Sequence, residues 1–305
     1  MSNDSPACAV QLRERLGAVA DINAAVSVLH WDQEVYMPPK GAAARGMQLA
    51  TLSALSHREF TSAETGRLLD ACEAVRGPLS EADERLVSVA RYDFERARKL
   101  PEKFVHEFAK ECSAAYAAWV AARKESSFAR FQPDLERLIA LSRQKAEYLG
   151  YSGSPYNALL EDFERGMTAE QLKTIFAELA EKQGRLVERI LASGNRPDTS
   201  WLAGEWDMQA QWDFGMRVLR DLGYDLKAGR QDKSVHPFST IFDVDDVRIT
   251  TRFSKDDPFS SLTGTIHECG HALYMQGHNR EDARTMLSDG ASLGMHESQS
   301  RMWEN

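Results

Sequence analysis

Apolar residues recur at three- and four-residue spacing through most of the chain, which is the pattern of helices that bury one face. The clearest runs are Leu86, Val89, Ala90 and Phe94; Phe104, Phe108, Cys112, Tyr116 and Trp119; and Leu172, Ile175, Phe176, Leu179, Leu186 and Ile190. This spacing predicts a mainly α-helical protein.

The predicted helices also carry start and stop signals. Ahead of the third apolar run, Thr168 can cap the free amide groups of a first turn and Gln171 can reach back to it, as a capping box requires. Proline and glycine mark breaks between predicted helices at 38–39, 77–78, 153–155 and 196–197.

Residues 238–253 depart from the helical pattern, because they are rich in β-branched and aromatic side chains around the Asp245-Asp246 pair. Val247, Ile249 and Thr251 alternate with their neighbours, as in a strand with one buried face. The stretch predicts a short hairpin, and it is the only part of the chain where the pattern indicates β structure. Helical spacing resumes after Pro258.

The helix that follows the hairpin carries an H-E-x-x-H motif at 267–271, between a start near Pro258 and a stop near Gly277. Positions i and i+4 lie on one helical face, so His267 and His271 can bind one metal ion at about 2.0–2.1 Å. Glu268 is rotated away from that face. It can take a proton from water whose pKa the metal lowers toward about 7, as that water attacks a carbonyl. The motif predicts a zinc-type metallopeptidase.

The bare motif is only moderately specific, since chance places it in about one or two of every hundred chains of this composition. The alternative is a buried helix with two histidines in its core. Gly264 and Gly270 are poor helix formers, each costing about 1 kcal/mol relative to alanine. Small residues at these positions indicate that another element packs closely beside the motif.

A zinc site needs a third protein ligand as well as an open position. The acidic residues downstream of the motif are Glu281, Asp282, Asp289, Glu297 and Glu304. Glu281 and Asp282 follow the motif helix too closely to fold back easily. Glu297 lies in a second helical pattern, which makes a site of two histidines and one glutamate feasible.

Composition limits the partners and the compartment. The net charge of -9 argues against nucleic acid as a partner, and the longest small-apolar run, 114–122, is too short to span a bilayer. The first ten residues do not fit a secretory signal. Cys8, Cys72, Cys112 and Cys269 are widely spaced, so we expect free thiols and a cytoplasmic protein without a membrane partner.

Four motifs in order give the chain a family resemblance: His-Pro-Phe at 236–238, Asp-x-Arg-x-Thr at 246–250, His-Glu-x-Gly-His at 267–271 and His-Glu-Ser-Gln at 296–299. Weaker matches lie at 31–33, 37–38 and 156–166. The chain resembles the carboxypeptidase Taq metallocarboxypeptidases, peptidase family M32, over essentially its whole length.

The resemblance implies a helical metallopeptidase with a deep groove and a small hairpin or sheet next to the H-E-x-x-H helix. It implies Zn²⁺, with Co²⁺ as an alternative, and it assigns His267, His271 and Glu297 as ligands and Glu268 as general base. The motifs associated with the substrate cleft contain His236, Arg248 and His296.

The activity that the resemblance implies is release of single C-terminal amino acids, with broad side-chain tolerance, from peptides with a free C-terminus. Relatives are usually homodimers. We expect 1–235 to form the groove walls and cover and 236–305 to form the metal-binding catalytic core, within one continuous structural domain.

Two later family motifs, IRxxAD and GxxQDxHW, are absent, and the resemblance places the arginine for the substrate carboxylate in that part. We therefore expect the catalytic core to be incomplete at its C-terminal end. Two alternatives stay open: a truncated metal-binding fragment with little or no activity, and a related helical oligopeptidase.

The motif residues outside the ligand set have purely structural roles as alternatives to substrate binding. Arg248 could face the cleft or pair with Asp246 or Asp243, and His296 could meet a transition-state oxyanion or only support the ligands. Pro237 holds His236 in an extended conformation. We expect the residues at 31–33 to pack and cap, and Cys269 to fill the core.

Overall fold

The computed structural model describes residues 6–75 and 79–305, so the break predicted at 77–78 lies outside the described residues. Helices dominate these residues. Their bounds are Ala7–Val35 (α1), Ala42–Phe60 (α2), Ala63–Glu73 (α3), Glu81–Ala97 (α4), Glu102–Glu125 (α5), Phe128–Leu149 (α6), Pro155–Leu160 (α7), Ala169–Ala192 (α8), Met208–Leu222 (α9), Pro258–Gln276 (α10) and Leu293–Glu304 (α11). Short 3₁₀ turns lie at Pro39–Gly41, Ser200–Leu202, Arg280–Asp282 and Met286–Ser288. The break predicted at 196–197 falls between helices, and those at 38–39 and 153–155 end on the first residues of a 3₁₀ turn and of α7, so each marks a boundary as expected.

The first core forms where α1, α3 and α4 meet. Leu12, Leu69 and Leu86 are almost fully buried in it, and Phe94 of α4 packs edge-on against Phe60 of α2. The helical spacing predicted for Leu86, Ala90 and Phe94 therefore corresponds to a buried face. Serine side chains at 62 and 80 cap α3 and α4 by accepting backbone N–H groups, which satisfies amides that have no partner within the helix.

Helix α8 begins as its sequence predicts but does not bury its apolar face. Thr168 Oγ1 accepts from the Gln171 amide at 3.2 Å, and Gln171 Oε1 accepts from the Thr168 amide at 2.9 Å, which completes the capping box. Ile175, Phe176 and Ile190, however, are each more than half exposed. The periodicity thus predicted the helix correctly, while no described residue of α8 is buried in a core.

The sheet contains the predicted hairpin and one strand that the sequence did not reveal. Strands Ser239–Asp243 (β2) and Asp246–Thr251 (β3) pair antiparallel, as expected. Strand Gly229–Lys233 (β1) pairs parallel with β3, so the sheet has one strand more than the hairpin that the pattern indicates. The sequence of β1, GRQDK, has no apolar alternation, since its buried residues are Gln231 and Asp232. A Cβ at Gly229 would overlap the Tyr224 ring and the Val247 carbonyl, so the strand needs glycine there.

The sheet lies between α1 on one face and α9 and α10 on the other. Val247 and Ile249 of β3 are fully buried against Leu219 of α9 and Cys269 of α10, which makes a second core. Arg248 alternates with these two residues and meets Trp31 of α1 on the other face. The protein is therefore mainly α-helical with a small sheet beside the motif helix, as predicted from the sequence.

The segment between α10 and α11 is tied to α1. Arg284 donates to both carboxylate oxygens of Asp21, at 2.8 and 2.5 Å, and its guanidinium lies over Gly17. Among the described residues, no helix is both long and apolar enough to cross a lipid bilayer.

Candidate metal centre

The motif helix α10 has the ends that its sequence predicts. Pro258 occupies its first turn, where a missing N–H costs nothing, and the Asp257 carboxylate accepts from the Ser260 amide at 3.1 Å. The helix stops at Gly277. These caps place the H-E-x-x-H motif in the middle of a regular helix, where positions 267 and 271 share a face.

Helix α11 lies directly against α10 because of one glycine. A Cβ added at Gly270 would lie 2.6 Å from Ser300 Cα and 2.8 Å from the Gln299 carbonyl oxygen. The absence of a side chain at position 270 thus lets the backbone that follows Glu297 approach the motif. Gly264 is less confined, since its nearest neighbour would be Pro237 Cγ at 3.7 Å.

The approach of the two helices brings three ligand atoms together. His267 Nε2 and His271 Nε2 are 3.2 Å apart, and Glu297 Oε2 lies 3.6 Å from the first and 3.3 Å from the second. Ligands at about 2.1 Å from a tetrahedral metal are about 3.4 Å from one another. Two imidazole nitrogens and one carboxylate oxygen therefore fit a single divalent ion. Of the acidic candidates downstream of the motif, only Glu297 belongs to the cluster found among the described residues.

Each imidazole is held through its other nitrogen. Glu304 Oε1 lies 2.7 Å from His267 Nδ1, and the His296 carbonyl oxygen lies 3.1 Å from His271 Nδ1. Both acceptors favour the tautomer with hydrogen on Nδ1, which leaves the Nε2 lone pairs free for a metal. Glu304 is one of the acidic candidates that the sequence offers, but it contacts His267 Nδ1 and lies outside the cluster of three. Its seven-residue spacing from Glu297, two helical turns, was the signal that it shares that face.

Arg301 joins the two carboxylates of α11, a role that the sequence alone did not reveal. Its Nε donates to Glu297 Oε1 at 3.0 Å, and its Nη1 donates to Glu304 Oε2 at 2.7 Å. Desolvation alone would raise the pKa of both carboxyls. Hydrogen bonds from Arg301, together with Ser300 for Glu297 and His267 for Glu304, outweigh it and hold both pKa values below the usual range.

Glu268 occupies a different environment from these two carboxylates. It is buried, and desolvation raises its pKa to about 8 in spite of a hydrogen bond with Ser239; the charges of Glu297 and Glu304 add to the rise. A divalent cation beside it would favour the ionised form. Burial, aided by His296 and His267, lowers the pKa of His271 to about 4, so this ligand is neutral near pH 7.

Comparison with known proteins identifies the family of the chain. The sequence model of the carboxypeptidase Taq (M32) metallopeptidases matches residues 11–305. The chain belongs to this family. Carboxypeptidase 1 of Bacillus subtilis (strain 168) is 39% identical over 290 residues, which are 95% of this chain and 58% of that protein. Thermostable carboxypeptidase 1 of Thermus thermophilus is 43% identical over 287 residues, covering 90% of this chain and 56% of the relative.

Solved structures agree with the sequence comparison. The crystal structure of BsuCP matches with a TM-score of 0.96 at 38% identity, covering 98% of this chain and 60% of that one. The M32 carboxypeptidase from Deinococcus radiodurans R1 matches with a TM-score of 0.86 at 41% identity, with the same coverage. The chain thus spans about 58% of the length of Carboxypeptidase 1. Membership of a metallopeptidase family implies a divalent metal, and the three convergent ligand atoms fit one.

The M32 motif that contains His296 lies next to the ligands. Its imidazole stacks on that of His271, with ring centroids 4.2 Å apart and 11° between the planes. The same ring lines a cavity of about 410 Å³ bounded by β2 and the residues just before α11. Two roles were predicted for His296: support of the ligands and contact with a transition-state oxyanion. The stacking on His271 would serve the first and the cavity would serve the second, and both stay predictions.

Arg248 pairs with Asp246 of the same strand, β3. Its guanidinium makes two hydrogen bonds of 2.8 Å to Asp246, so Asp246 and not Asp243 is its partner. It is also enclosed by the Trp31 ring at 4.5 Å and the Phe242 ring at 4.8 Å. Trp31 packs as expected, and its neighbours at 32 and 33 bond to α2 and α5. The substrate role of Arg248 stays a prediction.

The His-Pro-Phe motif runs alongside the motif helix. His236 is exposed, and its carbonyl oxygen accepts from the Ser234 hydroxyl at 2.6 Å. Pro237 lies against Gly264, one turn before His267. This places the motif close to the start of the metal-binding face, while the role predicted for the His236 side chain stays a prediction.

Proposed function

We propose that the chain carries the zinc site of a metallocarboxypeptidase, with His267, His271 and Glu297 as ligands and Co²⁺ as an alternative metal. The observation that carries the proposal is the convergence of the two Nε2 atoms and Glu297 Oε2 at 3.2 to 3.6 Å. These separations match a tetrahedral site, which leaves a fourth position for water or substrate.

Glu268 is the proposed general base. A bound divalent metal would polarise the scissile carbonyl and make water acidic enough to be deprotonated near neutral pH. Glu268 follows His267 in the chain and is rotated off the ligand face, so its carboxylate can accept the proton of the attacking water and pass it to the leaving amine. Its burial keeps solvent from competing for that proton.

The proposed substrate is a peptide with a free C-terminus, from which one residue is released with broad side-chain tolerance. The relatives from Bacillus and Thermus are named carboxypeptidases, which supports this substrate class. His296 beside the ligands, His236 and Arg248 are the proposed substrate-binding residues. We further propose that 1–235 form walls and cover around the core at 236–305, and that the protein is a cytoplasmic homodimer, as the family resemblance and the unpaired cysteines suggest.

Elemental analysis of the purified protein tests the ligand set. We expect about one Zn²⁺ per chain in the unaltered protein and in Glu268→Gln, but a large loss in Glu297→Ala, since two ligands remain. Glu281→Ala removes an exposed carboxylate between the two metal-binding helices and should change nothing. Unchanged zinc in Glu297→Ala would refute the ligand set.

Hydrolysis of a blocked dipeptide tests the activity separately. The zinc-loaded chain should release the last residue when the C-terminus is free and should fail when it is amidated. Glu268→Gln should bind zinc and lose turnover. A chain that binds zinc but cleaves neither peptide would contradict the proposed activity and favour a metal-binding fragment with little or no activity, and equal cleavage of both would indicate an oligopeptidase instead.

A further inference from the structure

Three charged residues of α11 contact one another along the helix, and two of them, Glu297 and Glu304, also contact histidines of the motif helix. Glu297, Arg301 and Glu304 are spaced four and three residues apart, so they follow one another along a single helical face. We call these three residues the α11 clamp. Only Glu297 is among the proposed ligands, which leaves Arg301 and Glu304 without an assigned role.

Within the clamp, each carboxylate has one oxygen near histidine nitrogen and the other on Arg301, and Glu297 Oε2 also accepts from Ser300 Oγ at 3.2 Å. Glu297 points Oε2 toward both Nε2 atoms and gives Oε1 to Arg301 at 3.0 Å. Glu304 gives Oε1 to His267 Nδ1 at 2.7 Å and Oε2 to Arg301 at 2.7 Å. The guanidinium therefore fixes the rotation of both carboxylates through the oxygens that face away from the histidines.

We propose that Arg301 and Glu304 are positioning residues for the metal centre, acting through Glu297 and His267; the proposal rests on the zinc site proposed above. Glu304 holds His267 with hydrogen on Nδ1 and so aims its Nε2 lone pair at the metal. Arg301 locks Glu304 and Glu297 in the orientations that this requires, and its charge offsets their mutual repulsion.

The two histidines differ in what holds them. His271 is oriented by a backbone carbonyl, that of His296, which no substitution removes. The Nδ1 atom of His267, by contrast, has a side chain as its partner, and among the described residues its hydrogen bond is to Glu304 alone. Substitution of Glu304 or Arg301 should therefore change the orientation of the His267 imidazole and leave that of His271 unchanged.

A purely structural role makes a different prediction. The Arg301 side chain is 61% exposed and that of Glu297 is 45% exposed, and ion pairs of this kind add little to folding stability. The clamp should thus affect metal affinity much more than the free energy of unfolding. Arg85 and Glu81 on α4 form a pair with the same four-residue spacing, 70% and 80% exposed, and serve as a matched control.

The test measures the zinc dissociation constant by competition with a chromophoric chelator, alongside urea unfolding of the metal-free proteins. Loss of such supporting contacts typically weakens metal binding about 10- to 100-fold. We expect a loss of this size for Glu304→Gln and about tenfold for Arg301→Gln, with partial recovery in Arg301→Lys. Arg85→Gln should stay within about twofold. Unchanged affinity in the first two variants, or an equal loss in the control, would overturn the proposal.

A second readout needs no zinc. ¹⁵N spectra of the metal-free protein should show His267 with its hydrogen on Nδ1, and Glu304→Gln should give a mixture of tautomers, because an amide can donate or accept at that position. Spectra of His267→Gln assign the signal. An unchanged tautomer in Glu304→Gln would contradict the positioning role. If the unaltered chain bound no zinc, the proposed function would fail, while this comparison would still decide the inference.

Discussion

Gly270 lets α11 approach α10 closely, so Gly270→Ala should separate the two helices of the proposed metal site. The added Cβ would lie 2.6 Å from Ser300 Cα. This is about 0.8 Å closer than the 3.4 Å at which ordinary contact begins. The obstructing atoms belong to the α11 backbone and cannot rotate away, so α11 must withdraw by a similar amount and carry Glu297 with it.

The expected effect on the metal site follows from this displacement. A metal site tolerates ligand distances within about 0.2 Å, so a shift of about 0.8 Å leaves Glu297 outside its bonding range. We expect at least about tenfold weaker zinc binding, equivalent to about 1.4 kcal/mol. Overpacking should also lower the free energy of unfolding by about 1–3 kcal/mol, less the gain of about 1 kcal/mol in helix propensity.

Gly264→Ala is the matched control, since it lies on the same helix and changes the same propensity. Its Cβ would meet Pro237 Cγ at 3.7 Å and Thr251 Oγ1 at 3.9 Å, both ordinary contacts. Zinc affinity from chelator competition should be unchanged in this variant, and urea unfolding should show equal or greater stability. If the two alanine variants bound zinc equally well, close helix approach at Gly270 would not be what positions Glu297.

Further predictions concern pH and two other glycines. Folding raises the pKa of Glu268 from 4.5 to about 8, so the metal-free protein should lose stability as pH rises through that range. Folding lowers the pKa of His271 from 6.5 to about 4, which gives the opposite slope between those values. In urea titrations the two contributions to the free energy of unfolding should oppose each other from about pH 4.5 to 6.5, and this free energy should fall from about pH 6.5 to 8. Glu268→Gln should abolish the fall; a fall that persisted in this variant would have another origin. Gly229→Ala should destabilise the protein by about 1–3 kcal/mol through overlap with the Tyr224 ring. Gly184→Ala, with open space around its Cβ in the middle of α8, should raise thermal stability by up to about 1 kcal/mol.

The local features of the site could be predicted from the sequence because they depend on neighbouring residues. The ends of α10, the capping box of α8 and the hairpin of β2 and β3 all follow from spacing and cap chemistry. Strand β1 could not be predicted, because its polar sequence carries no alternation and the strand exists only through pairing with β3. The strand that it pairs with lies eighteen residues further along the chain, since Gly229 is in register with Val247.

The roles of Arg301 and Glu304 were hidden for a related reason. Their charges and spacing are visible in the sequence, but contact with His267 depends on how two helices cross. Exposure of the α8 apolar residues was hidden too, since periodicity reports that a helix has an apolar face and says nothing of what lies against it.

Helix α1 is a long, continuous helix that connects the first core with the sheet. Its 29 residues extend about 43 Å. Leu12 near one end is buried in the first core, and Trp31 near the other lies against Arg248 of the sheet. The helix contains no proline, and Gly17, its single glycine, lies under the Arg284 guanidinium. A tilt of the amino-terminal helices would therefore also move the end of α1 that contacts the sheet, and β3 of that sheet packs against α10.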